Sequence, residues 1–187
     1  MPDKNYLPIQ ILHDFAERIE RLNIAYMLTG SMAMMNYSLY RFTADVNVVL
    51  ELKSEDAKRI IGVFEPDYYV PHNAVSRAIF SEKMFNVIHH ETAFKIDCVI
   101  KKQTAFQEIA FERRSRTDFY GRKIWIITKE DLIISKLLWA KDSLSEKQLT
   151  DVKNLAKTGF DAGYVEKWTN ELGVYKLLAQ CRKEIEE

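Results

Sequence analysis

Apolar residues recur at Leu12, Phe15, Ile19 and Leu22 with charged residues between them, the spacing of a helix that lays one stripe on a core. Asn23 precedes a change of period. The run Ile24 to Leu28 is short, apolar and followed by Thr29-Gly30-Ser31, which predicts a buried strand ending in a turn. Ser31 is suited to cap the next helix. Met32 to Tyr37 holds no breaker, so that helix is expected there with its first amides facing the turn. From Phe42 to Leu52 the period falls to two, with Val46, Val48 and Leu50 on one strand face and Asp45, Asn47, Val49 and Glu51 on the other.

A helix opened by Ser54 and Asp56 runs through Ala57, Ile60, Ile61 and Phe64 until Pro66 stops it. Two further strands are predicted, Phe85 to His89 and Phe94 to Ile100; in the second, Phe94, Ile96, Cys98 and Ile100 lie opposite Lys95, Asp97 and Val99. Thr104 with Gln107 has the spacing of a capping box, and Gly121 precedes a last strand from Lys123 to Ile127. Beyond Thr128 the pattern is helical only. Thr128 with Asp131 and Ser145 with Gln148 repeat the capping-box spacing, and Gly173 is placed to end a third helix before a fourth. The expected fold is α/β (α+β): a mixed sheet flanked by helices over residues 1–127, with a helical region over 128–187 packed on it.

The chain has 187 residues, 47% of them hydrophobic and 12% aromatic, enough to fill one such core and to exclude global disorder. Its 27 basic side chains equal its 27 acidic ones, so no overall field draws it to nucleic acid or to an anionic membrane. A polyanionic partner needs a local patch. Arg113, Arg114 and Arg116 are flanked by Glu112 and Asp118 and read as a solvated loop. Cys98 and Cys181 show neither a disulfide framework nor zinc spacing, which suits a reducing compartment. Met1 to Gln10 lacks the basic start and apolar stretch of a signal peptide, and no window approaches the length of a membrane span. A cytoplasmic location without a membrane partner is expected.

Asp45 and Asn47 stand two apart on a predicted strand, so both side chains share a face and their oxygens can converge on one cation. Asp97 sits mid-strand among apolar neighbours, where a carboxylate needs a metal, an exposed face, or an ion pair with Lys95, Lys101 or a distant arginine. Such oxygens suit magnesium, which commonly completes its shell with water and substrate phosphates. Gly30-Ser31 supplies the complementary half: a glycine permits close backbone approach, and the helix start directs free N–H groups at a phosphate. The same dipeptide also serves as a plain turn and cap. His89 and His90 are adjacent on a strand and face opposite ways, against shared ligation of one metal, though one of them has room to line the site. Trp125, Trp139 and Trp168 read as core or interface anchors.

The order Gly30-Ser31, Asp45-Val46-Asn47, Lys95-Ile96-Asp97 resembles the nucleotidyltransferase superfamily, whose pattern is Gly-Ser, then a strand with Asp-x-Asp, then a later strand with a third Asp. Thr29-Gly-Ser-Met-Ala, Arg41-Phe-Thr-Ala-Asp-Val, the Lys-Ile-Asp strand and Asp131-Leu-Ile-Ile-Ser-Lys-Leu are more closely similar to small bacterial proteins grouped with AbiEii-type nucleotidyltransferases. That group includes toxins of toxin-antitoxin and abortive-infection systems. The resemblance implies transfer of a nucleoside monophosphate from a nucleoside triphosphate to a hydroxyl acceptor, RNA or protein, with an antitoxin as a further partner. It implies that Asp45 and Asp97 are catalytic, that Asp45, Asn47 and Asp97 hold Mg2+ (or Mn2+), and that Gly30, Ser31 and Lys136 contact the nucleotide. One position departs. Asn47 stands where the pattern has its second Asp and brings an oxygen without charge. The alternative is therefore a catalytically impaired member of the same fold that binds nucleotide or a partner protein.

Overall fold

The computed structural model describes residues 6–37, 39, 43, 45–143 and 145–186. The first half comprises α1 (Leu7–Arg21), β1 (Tyr26–Thr29), α2 (Gly30–Ala33) with a 3-10 turn over Met34–Tyr37, β2 (Asp45–Leu50), α3 (Asp56–Phe64), β3 (Tyr68–Tyr69), α4 (His72–Ser81), β4 (Met84–His89) and β5 (Lys95–Ile100). The second half comprises α5 (Ala105–Glu112), β6 (Ser115–Phe119), β7 (Arg122–Ile126), α6 (Lys129–Ser143), α7 (Glu146–Ala156), α8 (Ala162–Glu171) and α9 (Tyr175–Glu186).

The strands form one seven-stranded mixed sheet in the order β3-β4-β5-β2-β1-β7-β6. β2 runs parallel to β5 and antiparallel to β1, and β1 runs parallel to β7. Period-two patterning decides what each face carries. Val46, Val48, Leu50, Ile96, Cys98 and Ile100 are buried on the apolar face, where Ile9, Leu12, Phe15 and Ile19 of α1 belong to the same core. Each such side chain contributes about 1.5–3 kcal/mol by leaving water. The cluster continues without a break into Leu132, Ile133, Leu137, Val152, Leu155, Val165 and Leu178 of the C-terminal helices.

Local signals explain the helix ends. Asn23 takes a left-handed φ of 52° just after α1, Thr104 Oγ1 accepts from the Gln107 amide at 3.3 Å, and the Thr128 hydroxyl accepts from the Asp131 amide at 3.3 Å. Gly173, with φ 66°, comes just after α8 as its spacing predicts. Ser145 precedes α7 but makes no side-chain cap; the Gln148 backbone amide donates to the Ser145 carbonyl at 3.1 Å instead, and the Gln148 side-chain oxygen accepts from Lys136.

Three expectations change. The helix after β1 begins at Gly30, so Ser31 lies inside it and Thr29 precedes it. Residues 72–81, where no element is expected from the pattern, form a helix, and Ser115–Phe119 form a strand rather than a solvated loop. That strand pairs antiparallel with β7 through a two-residue turn, Tyr120-Gly121, with φ 54° and 96°. Positive φ at both turn residues is what a tight hairpin of this hand requires, and glycine supplies the second without strain. Arg114 lies 4.0 Å from the Phe111 ring centroid and 4.9 Å from that of Trp125, so its guanidinium is packed rather than solvated. Arg113 lies over Tyr164 and donates from Nε to Asp131 at 3.2 Å. Of the tryptophans, Trp168 is buried against Phe106, whereas Trp139 is exposed and no core anchor.

Candidate active site

The polar residues picked from three sequence blocks meet on the second face of the sheet. β2 and β5 are in parallel register with Asp45 beside Lys95 and Asn47 beside Asp97. Thr29, the last residue of β1, stands opposite Asn47 on its other side, and Asn86 of β4 stands opposite Asp97. Thr29, Asn47, Asp97 and Asn86 thus form a row across four strands, flanked by Asp45 and Lys95 one pleat away.

Gly30 continues directly from Thr29, with φ 69°. A Cβ on it would lie 2.9 Å from Asn47 Nδ2, closer than real Cβ atoms pack, and a tight 3.0 Å from Asn47 Cβ. Both the backbone conformation and the space exclude a side chain, so the glycine lets the turn close onto the strand that carries Asp45 and Asn47. Ser31 is buried on the same turn.

Hydrogen bonds fix each carboxylate by one oxygen. Thr43 Oγ1 donates toward Asp45 Oδ1 at 3.0 Å, and Asn47 Nδ2 reaches the same oxygen at 3.4 Å. Asn86 Nδ2 donates to Asp97 Oδ1 at 2.5 Å, and Lys95 Nζ lies 3.0 Å from that oxygen. Among the described residues, Oδ2 of Asp45 and Oδ2 of Asp97 have no hydrogen-bonding partner. The Asp97 side chain is 9% exposed, against 42% for Lys95. Of the explanations open for a mid-strand carboxylate, the ion pair with Lys95 is present.

The donor atoms here are of the type a hard cation takes. Asp45, Asp97 and the Asn47 amide oxygen supply oxygens without a thiolate or imidazole, as magnesium prefers. Among the described residues no group of three or more His, Cys, Asp or Glu side chains comes together as a metal site, in keeping with a neutral amide at position 47.

Lys136 stands in a different environment. Its ammonium is buried between α6 and α7, donating to Asp151 Oδ2 at 2.7 Å and Gln148 Oε1 at 3.1 Å. His89 and His90 line neither carboxylate; with Asp14, Arg18 and Asp67 they border a cavity of about 360 Å3 elsewhere. A second cavity of about 210 Å3 lies beside Met35, Asn36 and Tyr120. Three residues of the Arg41-to-Val46 block, Arg41, Phe42 and Ala44, lie outside the described residues. Thr43 and Lys95 lie within the motif blocks but are given no ligand or catalytic role there, and Asn86 lies outside every motif. The available signal was alternation: Asn86 and Lys95 occupy the polar phase of their strands.

No protein-family profile and no curated protein matches the chain. Solved structures do. The antibiotic-resistance factor ANT(2'')-Ia aligns over 94% of this chain and 96% of its own with a TM-score of 0.58 at 11% identity. An antigenic nucleotidyltransferase-like protein from Paracoccidioides brasiliensis aligns over 80% of this chain and 73% of its own with a TM-score of 0.54 at 17% identity. The lincosamide antibiotic adenylyltransferase LnuA aligns over 78% of this chain and 94% of its own with a TM-score of 0.52 at 18% identity. The chain shares the nucleotidyltransferase fold with these proteins. No helix among the described residues is long and apolar enough to cross a membrane.

Proposed function

We propose that this chain is a nucleotidyltransferase that moves a nucleoside monophosphate from a nucleoside triphosphate to a hydroxyl acceptor. The observation that carries the reading is the packing of Gly30 against Asn47, which sets a helix-starting turn beside the Asp45 and Asp97 carboxylates within a fold shared with nucleotidyltransferases. Asp45, Asn47 and Asp97 would hold Mg2+, or Mn2+ in its place, and the ion supplies charge stabilisation to phosphoryl oxygens when bound. Backbone amides after Gly30 offer donors to the phosphates. The acceptor oxygen forms a bond to the α-phosphorus while the bond to the bridging oxygen breaks and pyrophosphate leaves; Asp97 takes the hydroxyl proton. Thr43, Asn86 and Lys95 hold the two carboxylates in position for this.

The acceptor is to be identified by assay among RNA, protein and small hydroxylated compounds. ANT(2'')-Ia has been solved with adenylyl-2''-tobramycin and LnuA with lincomycin, which motivates the last class. The AbiEii-like sequence blocks favour RNA or protein and a toxin-antitoxin or abortive-infection setting in the cytoplasm, with an antitoxin partner. Calorimetry with each triphosphate and magnesium, together with labelled-nucleotide transfer, tests the reading. Binding and transfer that both vanish in Asp45→Ala support it; no binding of any triphosphate at millimolar concentration refutes it. Growth arrest on expression, relieved by the same substitution, supports the toxin assignment.

Asn47 favours a second reading. Its amide supplies no charge and points its NH2 at Asp45, so a triphosphate-binding protein without turnover is the alternative. Binding without transfer to any acceptor class selects it.

A further inference from the structure

We propose that Lys95 grips the phosphate tail of the nucleotide, and that its ammonium takes the place of a second divalent cation at this site. The inference rests on the nucleotidyl-transfer reading and specifies how the site balances charge. Lys95 is beside Asp45 in the β2–β5 register and two residues from Asp97, so it shares the polar sheet face with both carboxylates. Its Nζ lies 3.0 Å from Asp97 Oδ1, while its side chain stays 42% exposed. An ammonium has three donors, and among the described residues Asp97 is the ion-pair partner of this one. The remaining donors are available to an anion without breaking the ion pair.

The charge count points the same way. Asp45 and Asp97 bring two negative charges, Asn47 brings none, and Lys95 cancels one. A single divalent cation turns the site net positive, which suffices to hold a polyanionic tail. With three carboxylates and no lysine, a second cation would be needed to reach the same sign. Loss of the carboxylate at position 47 and presence of the ammonium at 95 are then two halves of one arrangement: less negative charge to hold metals, and a fixed positive charge where one metal would sit. Lys136 does not fill this role in the present conformation, being engaged by Asp151 and Gln148.

The test uses the full chain and whichever triphosphate binds it. Manganese bound per nucleotide is counted by electron paramagnetic resonance, and triphosphate affinity is measured by calorimetry for wild type, Lys95→Gln and Lys95→Arg at saturating magnesium. One manganese per nucleotide, about tenfold weaker binding in Lys95→Gln, and affinity within about threefold of wild type in Lys95→Arg are expected for a lost charge-assisted contact. Two manganese ions per nucleotide in the wild type, or unchanged affinity in a folded Lys95→Gln, overturns the proposal and leaves Lys95 as a structural partner of Asp97. The manganese count needs no variant, so it decides even if Lys95→Gln does not fold. A wild type that binds no triphosphate overturns the underlying transferase reading instead.

Discussion

Two lysine–aspartate pairs in this chain have nearly the same separation and opposite surroundings. Lys136 and Asp151 meet at 2.7 Å with side chains 4% and 2% exposed; Lys95 and Asp97 meet at 3.0 Å with side chains 42% and 9% exposed. In the first pair both charges have left solvent, and their mutual attraction with the help of Gln148 offsets that desolvation. In the second the lysine side chain stays partly in solvent, so it loses less if Asp97 finds another cation. One pair is a fastener between α6 and α7, the other a contact that a ligand can share. Distance alone does not set what an ion pair costs to break; the medium around it does.

The difference can be broken at its strongest point by Asp151→Ala, which strands a buried ammonium. We expect it to lower unfolding free energy by about 3–5 kcal/mol in urea denaturation, with Lys136→Met plus Asp151→Leu recovering most of the loss. A loss under about 1 kcal/mol would show that water reaches this pair after all. Next in size, Asp45→Ala should weaken magnesium-dependent triphosphate binding about a hundredfold with little change in thermal stability, measured by calorimetry and a melting curve. Gly30→Ala adds a Cβ against Asn47 at a positive φ. It is expected to cost about 1–3 kcal/mol and to weaken nucleotide binding as the turn is pushed off β2. Asn47→Asp should raise magnesium affinity while slightly destabilising the metal-free protein, because a donor to Asp45 becomes a like charge; a rise in melting temperature on adding magnesium larger than that of wild type checks it. Smallest is Lys95→Gln, expected to cost less than about 1 kcal/mol of stability, in contrast to Lys136→Gln, which leaves Asp151 buried without its cation.

The residues that alternate were the ones easiest to place from sequence. Val46, Val48 and Leu50 against Asp45 and Asn47, and Ile96, Cys98 and Ile100 against Lys95 and Asp97, define both faces of the central strands. Capping by Thr104 and Thr128 was equally plain, because the hydroxyl and its amide partner lie three residues apart in the chain. The elements that escaped depend on distant neighbours. Ser115–Phe119 carries Arg116 and Asp118 and becomes a strand through its hairpin with β7 and the stacking of Arg114 on Trp125. The helix over residues 72–81 starts after Pro71 and buries only Val75 and Ala78, so its apolar stripe is too thin to read. The nucleotide role of Lys136 comes from the resemblance alone, and its ion pair with Asp151, fifteen residues on in the next helix, is announced by no local pattern.

The order of the strands also governs how this molecule meets its own copies. An uncovered outer strand invites backbone pairing with another chain and, from there, aggregation. Here one border, β3, is only two residues long, and the other, β6, exposes Arg116 and Asp118 along its length. Brevity limits pairing on one border and charge on the other.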